Sequence, residues 1–252
     1  TRHRFSAWFR ARPKVRIGNR QARVALVPTC VVEFTAPAIG HDLVRVYERN
    51  GIEVALADVG CCGAPLLQRG DTLADQVRKG DDIVVAQPTC ALTVRRDYLA
   101  HVPGADTEAV AAHTYDASEY LMRQHRSGES LLDTDFVGPL PRSIVYHAPC
   151  HIRAQRVGLK GRDLLRLTGA TVSVVQQCSG IDGVGGLRAS ADELAGPLAA
   201  RLAEELERRP AATIVGDCHL SNVAIAGATG RVPSHPLQVL ARAYGFAPEP
   251  EA

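Results

Sequence analysis

The chain has no run of about 20 apolar residues, which excludes a membrane-spanning helix. Net charge is nearly absent: 29 Lys and Arg against 27 Asp and Glu leave +2, so the whole molecule carries no signal for nucleic acid as a partner. Lysine itself is scarce, with only Lys14, Lys79 and Lys160, and this reads as genome base composition rather than function. No secretory signal is visible and Met is missing at position 1, so the chain is expected to be processed or part of a longer protein, placed in the cytoplasm or on the inner face of the cytoplasmic membrane. Close C-x2-C pairs are also missing, which removes the usual sequence mark of structural zinc and of ferredoxin-like segments.

What remains is an ordinary globular composition, 46% hydrophobic and 22% charged over 252 residues, enough for one large domain or two modest ones. The basic charge is uneven. Residues 1–20, "TRHRFSAWFRARPKVRIGNR", hold seven Lys and Arg, no acids, and the aromatic group Phe5, Trp8 and Phe9. This segment is expected to be a solvated arm or linker, or one that lies on an anionic membrane surface or an acidic partner.

After Arg20, short β-branched runs alternate with amphipathic segments. The runs are 23–28, 52–59, 82–88, 143–149, 171–177 and 212–217. Ile39, Leu43, Val46 and Tyr47 recur at helical spacing before Gly51, and "SADELAGPLAARLAEELERR" opens with Ser190 and Glu193 at capping-box spacing. Such alternation predicts an α/β fold with parallel sheets and helical crossovers. The two halves repeat one order: strand, "PTC", helix, strand, "CCG", helix, strand, "PTC", then strand, "APC", helix, strand, "CSG", helix, strand, "GDC". An internal duplication follows, with two Rossmann-like halves at 21–104 and 142–252. A connector at 105–141, holding the helix "SEYLMRQH" and bounded by Gly138, Pro139 and Pro141, joins them.

All seven cysteines, Cys30, Cys61, Cys62, Cys90, Cys150, Cys178 and Cys218, fall just beyond the end of a predicted strand. Ligands of open parallel sheets sit at the carboxyl ends of the strands, so the pattern describes two sites. Disulfides fit poorly, because seven is odd and adjacent Cys61 and Cys62 pair badly. Buried structural thiols do not account for a duplicated pattern. Zinc is a competitor, since four thiolates suit it. An iron–sulfur cluster fits best, because adjacent thiolates can bind different irons of one cage and three loops can share it.

With these residues the chain resembles the "CCG" cysteine-rich family, whose pattern is a single Cys, Cys-Cys-Gly some thirty residues on, then a further Cys after the next strand. That family includes the cysteine-rich subunit of heterodisulfide reductase and the iron–sulfur subunits of glycolate oxidase, lactate-utilisation and anaerobic glycerol-3-phosphate dehydrogenase systems. "YHAPCHIRAQRVG" at 146–158 and "CSGIDGVGG" at 178–186 draw the resemblance toward the glycerol-3-phosphate dehydrogenase branch and its relatives. The resemblance implies electron transfer, from a flavin-dependent dehydrogenase partner or ferredoxin-like protein towards a quinone or another acceptor, with peripheral membrane contact. Cys30, Cys61, Cys62 and Cys90 match the first motif and Cys150, Cys178 and Cys218 the second. Thr93, Ser179 and Ser221 stand where further cysteines occur in heterodisulfide reductase.

Site one therefore offers four thiolates, enough for a [4Fe–4S] cluster. Site two offers three, for a second cluster or for Cys3His zinc, and its fourth ligand is expected among His147, His219, His151, Ser179, Asp182, solvent and substrate. Thiol or disulfide reduction at site two, and a zinc-stabilised module without redox chemistry, are the competing functions. "GVGG" at 183–186 lacks the spacing of a dinucleotide fingerprint and reads as a tight turn. "RAQR" at 153–156 offers an anion contact or a solvated helix face.

Overall fold

The computed structural model describes residues 4–15, 17–58, 70–128, 132–181, 191–209, 211 and 213–248. Cys61, Cys62, Asp182, the "GVGG" turn and Ser190 lie outside them.

Each half is a parallel sheet built from the β-branched runs. In the first, β1 (Ala22–Val27), β2 (Ile52–Leu56), β3 (Asp82–Val85) and β4 (Thr114–Asp116) stand in the order β2-β1-β3-β4. In the second, β5 (Ser143–His147), β6 (Thr171–Val175) and β7 (Thr213–Gly216) stand in the order β6-β5-β7. All pairs are parallel. The first three strands of each half thus share one arrangement, with the earliest strand central. Val24, Leu26, Ile83, Val84, Ile144 and Val145 are fully or almost fully buried, as expected of strands covered on both faces.

Helices accompany both sheets and supply the crossovers between strands. In the first half these are α1 (Phe5–Ala11), α2 (Pro37–Arg49), α3 (Gly70–Arg78), α4 (Pro88–Leu92), α5 (Tyr98–His101), α6 (Ala105–Ala112) and α7 (Ala117–Ser127). In the second they are α8 (Cys150–Gln155), α9 (Lys160–Arg166), α10 (Asp192–Glu207), α11 (His219–Thr229) and α12 (Pro236–Ala243). Two π-helical turns, Val31–Thr35 and Thr93–Asp97, follow Cys30 and Cys90. Helix α2 stops at Asn50, and Gly51 takes the left-handed φ of +74° that ends it. Helix α10 has Ala191 at its N-cap with no side-chain cap bond, and the capping role expected of Ser190 lies outside the described residues.

Two expectations change. The connector is no linker: Thr114–Asp116 pairs with β3, and α7 begins on a capping box in which Asp116 accepts the Ser118 N–H while Glu119 accepts the Asp116 N–H. A three-residue strand is too short to read from periodicity. The basic segment is no free arm either. Phe5 is fully buried, Trp8 and Phe9 pack against the same core, and the Trp8 ring lies 4.1 Å from that of His41. Gly40 makes the room, since a Cβ there would come within 2.6 Å of the Phe5 ring. Ser6 bonds to Glu33, and Arg12 forms a two-pronged pair with Glu48. The aromatic residues proposed for a membrane surface are therefore spent on the interior.

The halves share that interior. One cluster joins Phe5, Leu43, Tyr47, Tyr120 and Leu121 to Leu164 of α9 and to Leu237, Leu240 and Ala241 of α12. Arg242 of α12 pairs with buried Asp42 of α2, and Tyr244 donates to the Asp133 carbonyl oxygen. No helix among the described residues is long and apolar enough to cross a membrane.

Candidate metal centres at the strand ends

Parallel pairing brings the carboxyl ends of each sheet's strands to one edge, and that edge carries the thiols. In the first half, Val27 of β1 lies beside Val85 of β3, so the segments leading to Cys30 and Cys90 start as neighbours. Thr29, fully buried before Cys30, has φ +57°, a conformation that costs a β-branched residue about 1–3 kcal/mol. Its Oγ1 accepts the Val32 N–H at 3.4 Å, and the chain turns there into the π-helical segment that follows Cys30. Pro88 sets the start of α4, which carries buried Cys90. Cys30 is exposed.

In the second half, Cys150 opens α8, Cys178 follows β6 and Cys218 is the N-cap of α11. Their thiols act on one another. Desolvation first, then the negative charges of Cys218 and Cys178, push the Cys150 thiol up, although solvent reaches the residue. The sulfurs also receive donors: the Gly180 N–H at 3.4 Å on Cys178, and the Gln87 side-chain amide at 3.1 Å on Cys218. N–H groups aimed at sulfur suit a thiolate or a metal-bound thiolate. None of the five described cysteines forms a disulfide.

Among the described residues, no three His, Cys, Asp or Glu side chains close round a single ion. Tetrahedral zinc at about 2.3 Å would need its sulfurs about 3.8 Å apart. Cys150, Cys178 and Cys218 would have to draw to that spacing to hold zinc with His147 or His219, or they could each bind a different iron of one cluster. The donor set, three thiolates with neutral histidines beside them, suits a multi-iron group as well as a single zinc ion.

The candidate fourth ligands separate. His147, 1% exposed at the end of β5, faces the Gln177 carbonyl oxygen through Nε2 at 3.0 Å, while its buried Nδ1 has no hydrogen-bond partner. Burial pulls its pKa down, which keeps the ring neutral and able to ligate. His219, beside Cys218, is likewise lowered by burial. His151 places Nδ1 2.8 Å from the Thr89 hydroxyl. Ser179 and Ser221, both buried, hold each other at 3.0 Å. The serine of "CSG" and the serine three residues past Cys218 are thus spatial neighbours.

Sequence reading missed three features of the site. Gln87, two residues past β3 and 2% exposed, reaches out of its own half to Cys218. The only signal was a polar residue between an apolar run and a cysteine. His235 caps α12, accepting the Leu237 N–H at Nδ1, and burial drives its pKa down to about 3. Behind Cys218, Asp217 accepts bonds from the Tyr146 and Ser118 hydroxyls, and desolvation raises its pKa to about 6. Its charge and that of Glu119 add to the burial that raises Asp116. A Cβ at Gly161 would stand 2.5 Å from Asp217 Oδ1, so that glycine lets α9 close over the carboxylate.

Known proteins of similar sequence include subunits of redox enzymes. The chain is 29% identical over 262 residues to an anaerobic glycerol-3-phosphate dehydrogenase subunit of Escherichia coli (strain K12), covering 95% of this chain and 63% of the relative. It is 26% identical to a fumarate reductase (CoM/CoB) subunit of Methanothermobacter marburgensis, over 79% of this chain and 41% of that one. It is 24% identical to an "Uncharacterized iron-sulfur protein" of Methanocaldococcus jannaschii, over 70% and 35%. The chain thus spans less than two thirds of each. The "Cysteine-rich domain" family model, CCG, matches residues 24–95 and again 144–221, one match per sheet, and the chain therefore belongs to the CCG cysteine-rich domain family in duplicate.

Proposed function

We propose that the chain is the iron–sulfur electron-transfer portion of an oxidoreductase complex. Electrons would arrive from a flavin-dependent dehydrogenase partner or a ferredoxin-like protein and leave towards a quinone or another acceptor. The observation that carries this reading is the placement of Cys150, Cys178 and Cys218 just past the carboxyl ends of β5, β6 and β7, in a half that repeats the strand order of the other. Relatives named as subunits of a dehydrogenase and of a reductase, and one named as an iron–sulfur protein, support it.

Cys30, Cys61, Cys62 and Cys90 would hold a [4Fe–4S] cluster, and Cys150, Cys178 and Cys218 a second one, with His147 Nδ1 or His219 as the further ligand. When bound, such clusters take up and release single electrons. The protein's share is to fix the ligands and control solvent. Pro88 and α4 hold Cys90, α11 holds Cys218 at its N-terminus, and the neutral histidines leave a nitrogen lone pair for a metal. Cys30, Cys150 and Cys178 are exposed, so the partner would approach on the strand-end edge, where Arg153 offers it an exposed positive charge. Membrane association would come through the complex, because Phe5 is buried and Trp8 and Phe9 pack, partly buried, against the interior.

Thiol or disulfide reduction at the second site is the alternative that one observation favours: two of its three cysteines face solvent in a site with fewer thiolates than the first. The test is anaerobic iron, sulfide and zinc analysis with electron spin resonance of reduced and oxidised protein. About eight iron and eight sulfide per chain, with two signals, is the expected result for two four-iron centres. Colourless protein with stoichiometric zinc and no acid-labile sulfide would overturn the reading. Turnover of a small disulfide that disappears in Cys178→Ala would move it to the reductase.

A further inference from the structure

Three consecutive residues of the first half bond to the second. Gln87 donates from Nε2 to Cys218 Sγ at 3.1 Å and accepts the His219 N–H on Oε1 at 3.3 Å. The Pro88 carbonyl oxygen accepts from Gln155 of α8 at 3.3 Å. The Thr89 hydroxyl meets His151 Nδ1 at 2.8 Å. Gln87 is almost fully buried, so water does not compete for its amide. Its orientation is fixed chemically. A backbone N–H needs an acceptor, so Oε1 must face His219, and the NH2 group is left to face sulfur. Turned round, the amide would place a carbonyl oxygen against the sulfur and a donor against a donor.

We propose that Gln87 is a positioning residue through which the first half sets the reduction potential of the centre held by the second. The inference rests on the reading that Cys218 ligates an iron–sulfur cluster. Reduction adds negative charge to a cluster and its ligand sulfurs, and a buried N–H donor stabilises the more negative state, so Gln87 raises the potential. Gln87 also lies three residues before Cys90, on the turn that leads into the first site, so one short segment serves both centres.

The test is a mediated redox titration of the intact protein, followed by electron spin resonance, on the parent chain and on Gln87→Leu and Gln87→Glu. Gln87→Leu removes the donor and should lower the midpoint of the second centre about tenfold in reduction equilibrium, which is about 59 mV for one electron, with the first midpoint fixed. Gln87→Glu keeps the shape and the acceptor for His219 but turns an acceptor towards sulfur, so the fall should be larger. It also carries the test if the leucine variant does not fold. A second midpoint unmoved in the folded variants, or both midpoints moved equally, would overturn the inference. A parent chain with only the first signal would end the cluster reading of the second site, and this inference with it.

Discussion

The two halves start from the same plan and finish differently. Both place their earliest strand at the centre, flank it in the same order, and carry cysteines past each strand end. The first half then adds β4 and α7, takes α1 onto its outer helix, and enters its first cysteine through a strained Thr29. The second reaches the equivalent Cys150 through Pro149 in a relaxed extended conformation, and it has Ser179 in "CSG" where the first has Cys62 in "CCG". The difference teaches that topology places ligands, while the residues next to them decide how many there are and how they are held. The half with fewer thiolates is also the one that borrows a side chain, Gln87, from its twin.

That comparison can be broken most decisively at the thiols. Cys90→Ser should abolish only the first centre and Cys218→Ser only the second, each removing about half the iron and one of two resonance signals; loss of both signals from either change would show one shared site. The shared interior comes next. Phe5→Ala belongs to the first half in sequence, yet it should lower the stability of the whole chain by about 3–5 kcal/mol in denaturant, as one transition. Two transitions would mean that the halves unfold separately.

A smaller effect concerns pH at the seam. His235 is held neutral by burial, with a folded pKa of about 3 against an ordinary value of 6.5, so its contribution to stability is present above pH 6.5 and is lost as pH falls towards 3. His235→Asn keeps a capping side chain and should reduce the acid loss between pH 6.5 and 4 by on the order of 3 kcal/mol. Asp217 acts in the opposite direction. Its raised pKa of about 6 means that the folded state binds the extra proton between about pH 6 and 4, so stability from this group rises on acidification. Asp217→Asn should therefore deepen the acid loss, and thermal melts across that range check both signs. The smallest change is Thr29→Gly, in which relief of the left-handed strain is offset by loss of the buried side chain and its bond to the Val32 N–H and by added unfolded-state freedom, so stability should change by no more than about 1 kcal/mol while the approach to Cys30 loosens. A gain in melting temperature with unchanged iron binding would show that the strain serves no purpose.

Much of the fold was legible because buried parallel strands write themselves as β-branched runs. All six expected strands formed, and the amphipathic repeat of Ile39, Leu43, Val46 and Tyr47 became α2. The duplication was legible for the same reason, as spacing between cysteines follows spacing between strands. Thr114–Asp116 escaped because three residues carry no period. The docking of α1 escaped because positive charge drew the reading outward, although Phe5, Trp8 and Phe9 share one helical face. At the site, the placement of the thiols after strands was legible, whereas the mutual approach of the two halves was not. Nothing in "AQPTC" says which neighbour Gln87 will meet, since that depends on how separate sheets turn their edges to each other. The pairing of Ser179 with Ser221 was hidden for the same reason.

The core that runs from Phe5 through Leu164 to Leu240 has a further meaning for the traffic of charge. Because apolar side chains of both repeats interlock in it, moving one repeat against the other would break that packing together with the Thr89 to His151 contact. Any hop between the two edges would then cross a gap of constant width, its pace set at folding and not by diffusion of one repeat against the other.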